Sequence, residues 1–584
     1  MSASGNTSEN TGKNGPPTPG NLLFAVNENP PEWLSALLGL QLILIIAGPI
    51  ALTPVVVARQ AGIDPGQIPW IIFASFTASA IGTLIQVHRF GRVGSGYLLF
   101  VGSSGTFLAC ALSAAEIGGM SLVASMSVLS APLQILFGWF LGPLRRIITP
   151  AVGGVVIMLI VVSVLGIALD LMNGRQGPGP DLNHLLVSIF TLAGIVALAV
   201  FGNKALRLWS LFIGICAGTF LSLALGMADF SRVAEESWLG MPQMGWQGFN
   251  LDFGPEFFSL YLAFALVTVV GAVETLGDSM AIQQVSDRNF RKINYDTVQG
   301  AIYADGIANA IAGALGTLPN TTYSNAISAV ELTGVAARRV GYYTSLFLAL
   351  LAFCPKVSAL LAAIPSPVVG AFLFMLLAML FVTGIKLATS QGLSYENSIV
   401  IGLSFWIGYT FQNDLFFAEF IPRSLAPFLN NGMAVGGVSA ILLSLLFNLK
   451  PAGQAKFALK RQPDEASRLR QFLKNYAATR NIPSYLEQKL HLTAEELFLH
   501  LCTSRQAAAD SLRVKLRKGE ETLQVEFIDS GFTWDLDDQV EAVRARQGEF
   551  SSEDLGLLLL DRYAQNLRHI AISGYNYISY ELPL

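Results

Sequence analysis

Long apolar segments follow one another from residue 33 to residue 449, and no other feature of the sequence constrains the fold as strongly. A membrane-spanning helix needs roughly 17–25 mostly apolar residues, and most of these segments reach that length. Charged residues make up 13 % of the chain, about half the share found in a typical soluble domain. We therefore predict an all-α polytopic membrane protein with fourteen spans near residues 33–57, 68–88, 97–115, 121–143, 147–170, 184–202, 207–227, 257–283, 297–316, 322–337, 341–362, 366–388, 395–411 and 432–449.

The composition argues against several classes of function. The net charge is −4 and there is no basic stripe, so we expect no nucleic-acid partner. The four cysteines form no CxxC pair, which argues against a disulfide framework or a zinc site. The five histidines lie outside the predicted span centres, which excludes a histidine-bound haem or copper site in the membrane. No nucleophile–base pair or metal cluster is evident in the membrane part, so we predict no cofactor and no enzymatic activity.

The loops and the two ends of the chain predict its arrangement about the membrane. Residues 1–31 are rich in Gly, Ser, Asn and Pro, do not resemble a signal peptide, and are predicted to be a disordered tail. With the N-terminus inside, the short inside loops hold about twelve Lys and Arg residues and the outside loops about five. We therefore expect both termini in the cytoplasm and a location in a bacterial inner membrane. The membrane domain is predicted at residues 32–450 and a cytoplasmic domain at residues 451–584.

Two of the predicted spans contain segments that are poor continuous helices. Residues 94–105 and residues 316–325 each read as a short extended piece, a break and a helix start. They fall in the third and tenth spans, seven apart, as in transporters built from inverted repeats with a site at the midplane. The half-helix N-termini are expected at Gly102, Ser103, Thr322 and Tyr323. The alternative is a pair of Pro/Gly kinks in ordinary helices.

Two carboxylates lie within the eighth predicted span. Glu274 and Asp278 are four residues apart, so they share one face of a helix. A carboxylate in hydrocarbon is costly, and it persists only if it faces a polar cavity, pairs with a cation or is protonated. We interpret the pair as a substrate and proton-coupling site; the alternative is a structural pair bonded to hydroxyls or helix N-termini. Asp305 is predicted to cap or bridge helices rather than to contact substrate.

In their order along the chain, these motifs resemble the nucleobase–ascorbate transporter family, also called nucleobase:cation symporter-2. The resemblance covers about residues 33–449. It rests on Leu38-Gly-Leu-Gln41, Gly94-Ser-Gly96, Gly102-Ser-Ser104, Val273-Glu-Thr-Leu-Gly-Asp278, Ala304-Asp-Gly306, Gly316–Asn325, Leu332-Thr-Gly-Val335 and Arg338.

The resemblance implies an architecture and an activity. It implies fourteen spans in two inverted repeats of seven, with short strands in spans 3 and 10, and a core and a gate domain that move like an elevator in a homodimer. It implies uptake of a nucleobase coupled to H⁺ or Na⁺. In the family the eighth-span Glu binds the base, which corresponds to Glu274, and xanthine and urate members carry an Asp at the position of Asp278. A xanthine- or uric acid-type purine is therefore favoured over uracil.

The sequence departs from the family pattern in the tenth and first spans. The tenth-span motif Gln/Glu-Asn-x-Gly is replaced by Asn325, Ala326, Ile327 and Ser328, and the first-span Gln-His pair by Gln41-Leu42. Asn325 still offers both a donor and an acceptor to a base edge. The residues expected to bind substrate are Glu274, Asn325, Asp278, Gln41, Ser324, Ser104, Gly105 and Phe107.

The region that follows the last span has a soluble composition. It is predicted to contain a helix at 464–487, a hairpin at 511–529, a helix near 552–567 and a final strand pair, which makes a small α/β domain. This order resembles the histidine-kinase-like ATPase fold of anti-sigma-factor kinases. The resemblance implies a weak nucleotide site at Glu496, Asp529, Gly531 and Gly556, or a docking role toward a cytoplasmic regulatory protein. An unrelated α/β tail and a STAS-type tail are the alternatives.

Three functions remain open at this point. The leading hypothesis is a secondary active symporter that imports a nucleobase. A sulfate-class anion transporter is the second, and Glu274 and Asp278 on one helix face disfavour it. A membrane sensor that signals through the C-terminal domain is the third.

Overall fold

The computed structural model describes most of the chain. The described residues are 22–140, 149–174, 182–288, 290, 293–390, 392–413, 431–449, 455–480, 482–503, 511–518, 522–530, 536, 552–572 and 575–583.

The described residues up to 449 are mostly helical, because the apolar runs there are long and carry few charges. The helices are α1 (Glu32–Gln60), α2 (Ile68–His88), α3 (Leu108–Trp139), α4 (Pro150–Asn173), α5 (Leu182–Phe201), α6 (Lys204–Ala224), α7 (Ser231–Glu235), α8 (Pro255–Ser286), α9 (Tyr295–Ala314), α10 (Asn325–Thr333), α11 (Arg338–Ala352), α12 (Pro355–Ala362), α13 (Ser366–Thr389), α14 (Tyr395–Gln412) and α15 (Gly432–Leu449).

Eight helices of the described residues are long and apolar enough to cross a membrane, in agreement with an integral membrane protein. The number rises to nine if α11 and α12, which are bent by 79°, form one span. Helices α9, α10, α14 and α15 coincide with predicted spans but do not meet this test on their own. The count of fourteen spans and the seven-plus-seven repeat therefore stay predictions.

The third and fourth predicted spans are joined in α3. Gly118 and Gly119 have non-helical backbone angles, and Gly119 has a φ of 66°, a value that favours glycine. The break falls between the two predicted segments, so α3 consists of two helical pieces that meet at this glycine pair.

Both interrupted segments contain a short strand, as predicted. Strands β1 (Phe100–Ser103) and β2 (Asn320–Tyr323) pair antiparallel, with Phe100 opposite Tyr323 and Ser103 opposite Asn320. Pairing satisfies the backbone groups that a helix would otherwise satisfy internally, which is required at membrane depth. The pairing requires glycine at Gly102, because a Cβ there would lie 2.7 Å from Ile50 Cγ1 and 2.8 Å from Tyr323 Cζ.

The half-helix N-termini begin later than predicted. Gly102, Ser103, Thr322 and Tyr323 lie in the strands, because antiparallel pairing uses their backbone groups. The helical turns begin at Gly105, in a 3₁₀ turn that leads into α3, and at Asn325, the first residue of α10.

The helices associate in two groups. Helices α1–α3 pack with α8–α12 around the two strands, whereas α4–α6 pack with α13–α15. The division is of the kind that a core and a gate domain require. Helix α3 and helix α8 also contact α4, so the two groups meet along these helices.

Residues 22–31, which the sequence placed in the disordered tail, are ordered in the structure. Phe24 forms a parallel bridge with Val335, and the backbone N–H of Ala336 donates to the Phe24 carbonyl (2.8 Å). Arg288, just after α8, donates two hydrogen bonds to the Glu28 carboxylate (2.6 and 2.8 Å). These contacts hold the segment against the ends of α8 and α10.

The C-terminal region forms an α/β domain with its own apolar core. Its elements are β3 (Ala455–Lys460), α16 (Ala466–Thr479), α17 (Ser484–Thr503), β4 (Ser511–Lys518), β5 (Thr522–Ser530), α18 (Ser552–Tyr563), β6 (Gln565–Ile572) and β7 (Tyr575–Pro583). The strands form one antiparallel sheet in the order β3-β4-β5-β7-β6.

The structure contains a hairpin, a helix and a final strand pair where the sequence predicts them at 511–529, near 552–567 and after it, and two details differ. The single helix expected at 464–487 is two helices, because Pro483 lacks the N–H that a helix interior needs. Strand β3 was not predicted; its exposed residues alternate with less exposed ones, as expected at the edge of a sheet.

Candidate functional site

The α8 carboxylates face the two interrupted segments. The Thr106 hydroxyl, in the turn that precedes α3, donates to the Glu274 carboxylate and lies 2.8 Å from Oε1 and 3.0 Å from Oε2. Ser104 fixes this turn, because its hydroxyl accepts a hydrogen bond from the Thr106 N–H (3.2 Å). Glu274 is thereby tied to the first interrupted segment.

Asp278 is tied to the second interrupted segment. The Thr322 hydroxyl donates to Asp278 Oδ2 and the Ser324 hydroxyl to Oδ1, each at 2.8 Å. Thr322 lies in β2, and Ser324 is the residue before α10. One helix face thus connects both half-helix starts, which explains why the two acids are spaced by four residues.

Asp305 is fully buried in α9 and connects three helices. Its carboxylate accepts hydrogen bonds from Thr275 Oγ1 of α8 and, at 3.0 Å, from Gln86 Nε2 of α2. The Gln86 side chain also donates to the Ala301 carbonyl (2.9 Å). This is the arrangement expected of a residue that bridges helices, and the substrate does not need to reach it.

The site is rich in negative charge. In the described part of the chain, the side chains that hydrogen-bond to Glu274, Asp278 and Asp305 are hydroxyls and one carboxamide, with no Lys or Arg among them. Unpaired carboxylates inside a protein are costly unless a ligand, a cation or a proton compensates them. The site is therefore suited to a ligand that presents N–H donors or positive charge.

The structure places Phe107 and Gly105 beside this site. Phe107 is buried, with its ring centroid 6.1 Å from that of Phe264. A Cβ on Gly271, one turn before Glu274, would lie 3.5 Å from Phe107 Cε2. Gly105 borders α13, since a Cβ there would meet Leu376 Cδ2 at 3.5 Å. The site therefore lies where the two helix groups meet.

Asn325 lies next to a residue that contacts the acids, whereas Gln41 lies away from them. Asn325 is half-buried at the start of α10, directly after Ser324. Gln41 of α1 instead borders a small cavity with Ala329 and Thr333, toward the other end of α10. The structure therefore does not bring Gln41 to the carboxylates, and its role in substrate binding stays a prediction.

Sequence reasoning missed three polar partners of the acids: Thr106, Thr275 and Gln86. Gln86 could have been noticed in the sequence, because it is the one carboxamide in a mostly apolar helix; in the structure it is completely buried. Thr106 directly follows a predicted break, and a hydroxyl at the start of a helix is placed to donate a hydrogen bond. Thr275 lies between the two predicted acids, and nothing in the sequence indicated that it faces Asp305.

The described residues proposed for nucleotide binding in the C-terminal domain contact other parts of that domain. Asp529 is buried and forms an ion pair with Arg461 (3.0 Å), whose guanidinium also donates to the Leu501 carbonyl. Gly556 lies directly against Glu496, since a Cβ there would be 2.6 Å from Glu496 Oε2. Gly531 lies outside the described residues.

Comparison with known proteins connects this fold and site to one family. The family model Xan_ur_permease, described as "Permease family", matches residues 34–414. The xanthine permease XanQ of Escherichia coli (strain K12) is 27 % identical over 440 residues, which cover 73 % of this chain and 93 % of the relative. The uric acid permease PucK of Bacillus subtilis (strain 168) is 26 % identical over 426 residues, 72 % of this chain and 96 % of the relative.

A solved structure shows the same fold. The murine Solute Carrier 26 family member A9 anion transporter in the inward-facing state matches with a TM-score of 0.50 and 13 % identity, over 74 % of this chain and 70 % of that one. At this identity the likeness concerns the fold alone. The family match, in contrast, covers more than half of the chain. The relatives are permeases and not enzymes. This integral membrane protein therefore belongs to the permease family, the nucleobase–ascorbate transporters that its motifs predicted.

Proposed function

We propose that the protein is a secondary active symporter that imports a nucleobase, with a xanthine- or uric acid-type purine favoured over uracil. The observation that carries the proposal is the pair of carboxylates, Glu274 and Asp278, each held by hydroxyls from a different half-helix start. The names of the relatives, xanthine permease and uric acid permease, support a purine substrate. Asp278 at the position typical of those members supports it further.

Recognition follows from the acceptor capacity that each carboxylate retains. A carboxylate offers about four acceptor positions. Glu274 accepts from one hydroxyl, whereas Asp278 accepts from two. Glu274 therefore keeps more capacity for the N–H groups of a base, and Asp278 is the more firmly positioned of the two. Asn325, next to Ser324, supplies a carboxamide for a carbonyl of the base.

This geometry also provides selectivity among bases. A site built from buried polar groups rejects an analogue that lacks a partner for them, because the group left unpaired stays desolvated. A purine with N–H and C=O groups along one edge pairs with a carboxylate and a carboxamide at once. An N-methylated analogue leaves Glu274 without a donor and should compete poorly.

Coupling follows from the uncompensated charge. Two carboxylates share one face of α8, and the described residues supply no cationic side chain to them. Carrying both charges across the membrane is unfavourable, so movement of the site requires neutralisation. We propose H⁺ as the coupling ion, taken up at Glu274 or Asp278, with Na⁺ at the same oxygens as the alternative.

The remaining features of the proposal concern the whole molecule. We propose an elevator-type movement of one helix group past the other, which the border between Gly105 and α13 supports. We propose a bacterial inner membrane with both termini in the cytoplasm, a homodimer, and a C-terminal domain that binds a regulatory protein rather than a nucleotide. The Arg461–Asp529 ion pair supports this last choice, because Asp529, the residue expected to bind the base of a nucleotide, is already bonded to Arg461.

Uptake in cells that lack their own nucleobase transporters tests the proposal. Radiolabelled xanthine, uric acid and uracil are given to wild type, Glu274→Gln and Asp278→Asn, with unlabelled sulfate as a competitor. The matched control is Glu331→Gln, an exposed acid on α10. We expect purine uptake that is abolished by Glu274→Gln and by a protonophore, and unaffected by sulfate. Absence of uptake by well-expressed wild type, or full activity in both site variants, would refute the proposal.

A further inference from the structure

A cavity of about 550 Å³ lies at the end of the helical body away from the C-terminal domain. It is formed where α3, α4, α8, α14 and α15 meet, so both helix groups contribute to it. Helix α15 begins at Gly432 beside the cavity, which Met433 lines, and runs away from it to Leu449, before the C-terminal domain. Its polar lining consists of Ser113, Glu116, Ser163, Glu256, Ser259, Gln412 and Asn431.

The cavity is lined by the same faces of α3 and α8 that lead to Thr106 and Glu274. On α3, Ala109, Ser113 and Glu116 follow Thr106 at spacings of three, four and three residues, which keeps them on one face. On α8, Glu256 precedes Glu274 by eighteen residues, which is five helical turns. The two helices that hold the Thr106–Glu274 hydrogen bond therefore also line the cavity.

An aromatic pair separates the cavity from the acids. Leu260 lines the cavity, and Phe264 follows it by one turn of α8. The Phe264 ring packs on Phe107, and Phe107 in turn covers Gly271, one turn before Glu274. Both phenylalanines are completely or almost completely buried. The cavity therefore ends at this pair, with Glu274 on its other side.

The polar lining offers both donors and acceptors. Gln412 Oε1 accepts from the Gly432 N–H (2.9 Å), and Asn431 Oδ1 accepts from the Ala434 N–H (3.1 Å). These bonds fix the two carboxamides and leave their NH₂ groups as donors. Glu116 and Glu256 are exposed and supply acceptors. The carbonyl and N–H groups of a planar heterocycle could therefore hydrogen-bond to these side chains while its ring contacts the apolar part of the lining. The cavity volume lies within the range of about 300–1,000 Å³ for small-molecule sites.

We propose that this cavity, which we call the outer vestibule, is a second and weaker binding site that the purine occupies before it reaches Glu274. This inference rests on the proposed function for the identity of its ligand. The outer vestibule selects purines by the same donor–acceptor chemistry as the site at Glu274 and Asp278, which we call the deep site. The Phe107–Phe264 pair separates the two sites in the present conformation.

Protection of an introduced thiol tests the outer vestibule. Ser113→Cys is made in a chain in which Cys216, Cys354 and Cys502 are serine, and Glu274→Gln is added to disable the deep site. Right-side-out vesicles are treated with a membrane-impermeant maleimide, with and without xanthine or uric acid. The matched control is Ser237→Cys, an exposed position in the segment before α8. The cysteine-substituted chain without Ser113→Cys gives the background, since Cys110 is buried.

We expect the purine to slow labelling at position 113 and not at position 237. At about five times its dissociation constant, a ligand that covers the thiol slows the reaction about sixfold. Adding Glu116→Gln and Glu256→Gln should raise the half-protecting concentration about tenfold. Equal labelling with and without purine, or no labelling of position 113 from outside, would overturn the proposal.

The proposed function and the outer vestibule fail in distinguishable ways. Purine uptake by wild type without protection at position 113 would overturn the vestibule and leave the transport proposal intact. Protection at position 113 without uptake by wild type would support the vestibule as a binding site while transport is refuted.

Discussion

Replacing Thr106 by valine tests whether its hydroxyl positions Glu274 for the base. The change removes one oxygen and keeps the β-branched shape, so the turn before α3 should be preserved. It deletes the hydrogen bond to the Glu274 carboxylate (2.8 Å to Oε1). Thr106 is itself 2 % exposed, so water does not readily take the place of the hydroxyl. Ser104 still caps the turn through the backbone N–H, which valine retains.

The size of the effect follows from the charge on the acceptor. A hydrogen bond to a charged group contributes about 1.5–3 kcal/mol. If the bound base and Thr106 together fix the carboxylate, losing Thr106 weakens purine binding by roughly 10–100-fold. We expect the KM for purine uptake to rise by that factor. Thr106→Ser, which keeps the hydroxyl, should stay within about threefold of wild type.

Initial rates of radiolabelled xanthine uptake over a range of concentrations provide the measurement, with protein abundance in the membrane determined in parallel. The control is Thr383→Val, an exposed threonine of α13 whose hydroxyl donates to a backbone carbonyl of its own helix. The same KM for Thr106→Val and wild type, at equal abundance, would refute the view that this hydroxyl orients the binding carboxylate.

Three further predictions concern the strands and the C-terminal domain. Gly102→Ala should lower stability by about 1–3 kcal/mol through overpacking, seen as a lower thermal unfolding midpoint in detergent, whereas Gly254→Ala, with no atom near a new Cβ, should leave it unchanged. Arg461→Ala should lower the free energy of unfolding of the C-terminal domain by about 3–5 kcal/mol, because it leaves the buried Asp529 carboxylate without its ion-pair partner. The domain should then unfold at a lower temperature, and an unchanged unfolding profile would contradict this. Deletion of residues 456–584 should preserve uptake per transporter, and its loss at normal abundance would favour the sensor hypothesis.

The parts of the fold that follow from local pattern could be predicted from the sequence. The long apolar runs determine the helices, and the Gly-, Pro- and Asn-rich segments determine where helix gives way to strand. The spacing of Glu274 and Asp278 places them on one face without any knowledge of tertiary structure. The hairpin of the C-terminal domain follows from its alternating pattern in the same way.

The partners of these residues could not be predicted, because they depend on chain segments that are distant in sequence. Thr106 and Glu274 are 168 residues apart, and Gln86 and Asp305 are 219 apart. Nothing local to Asp529 shows that Arg461 lies beside it. The position of Gln41 away from the acids has the same origin, since it is set by how α1 packs on α11.

The pairing of β1 with β2 also has a consequence for the time course of synthesis. The Tyr323 hydroxyl of β2 donates to the Ser103 carbonyl of β1 across 220 residues of chain, so β1 leaves the ribosome long before the strand that completes its hydrogen bonds. At about 5–20 residues per second, the interval is roughly 10–40 s. During that interval the backbone groups of Phe100–Ser103 have no sheet partner, and lipid offers them none. The first half of the chain must therefore remain in a hydrated or protein-lined environment until the second half is made, which makes membrane insertion of this protein dependent on the arrival of its own later segments.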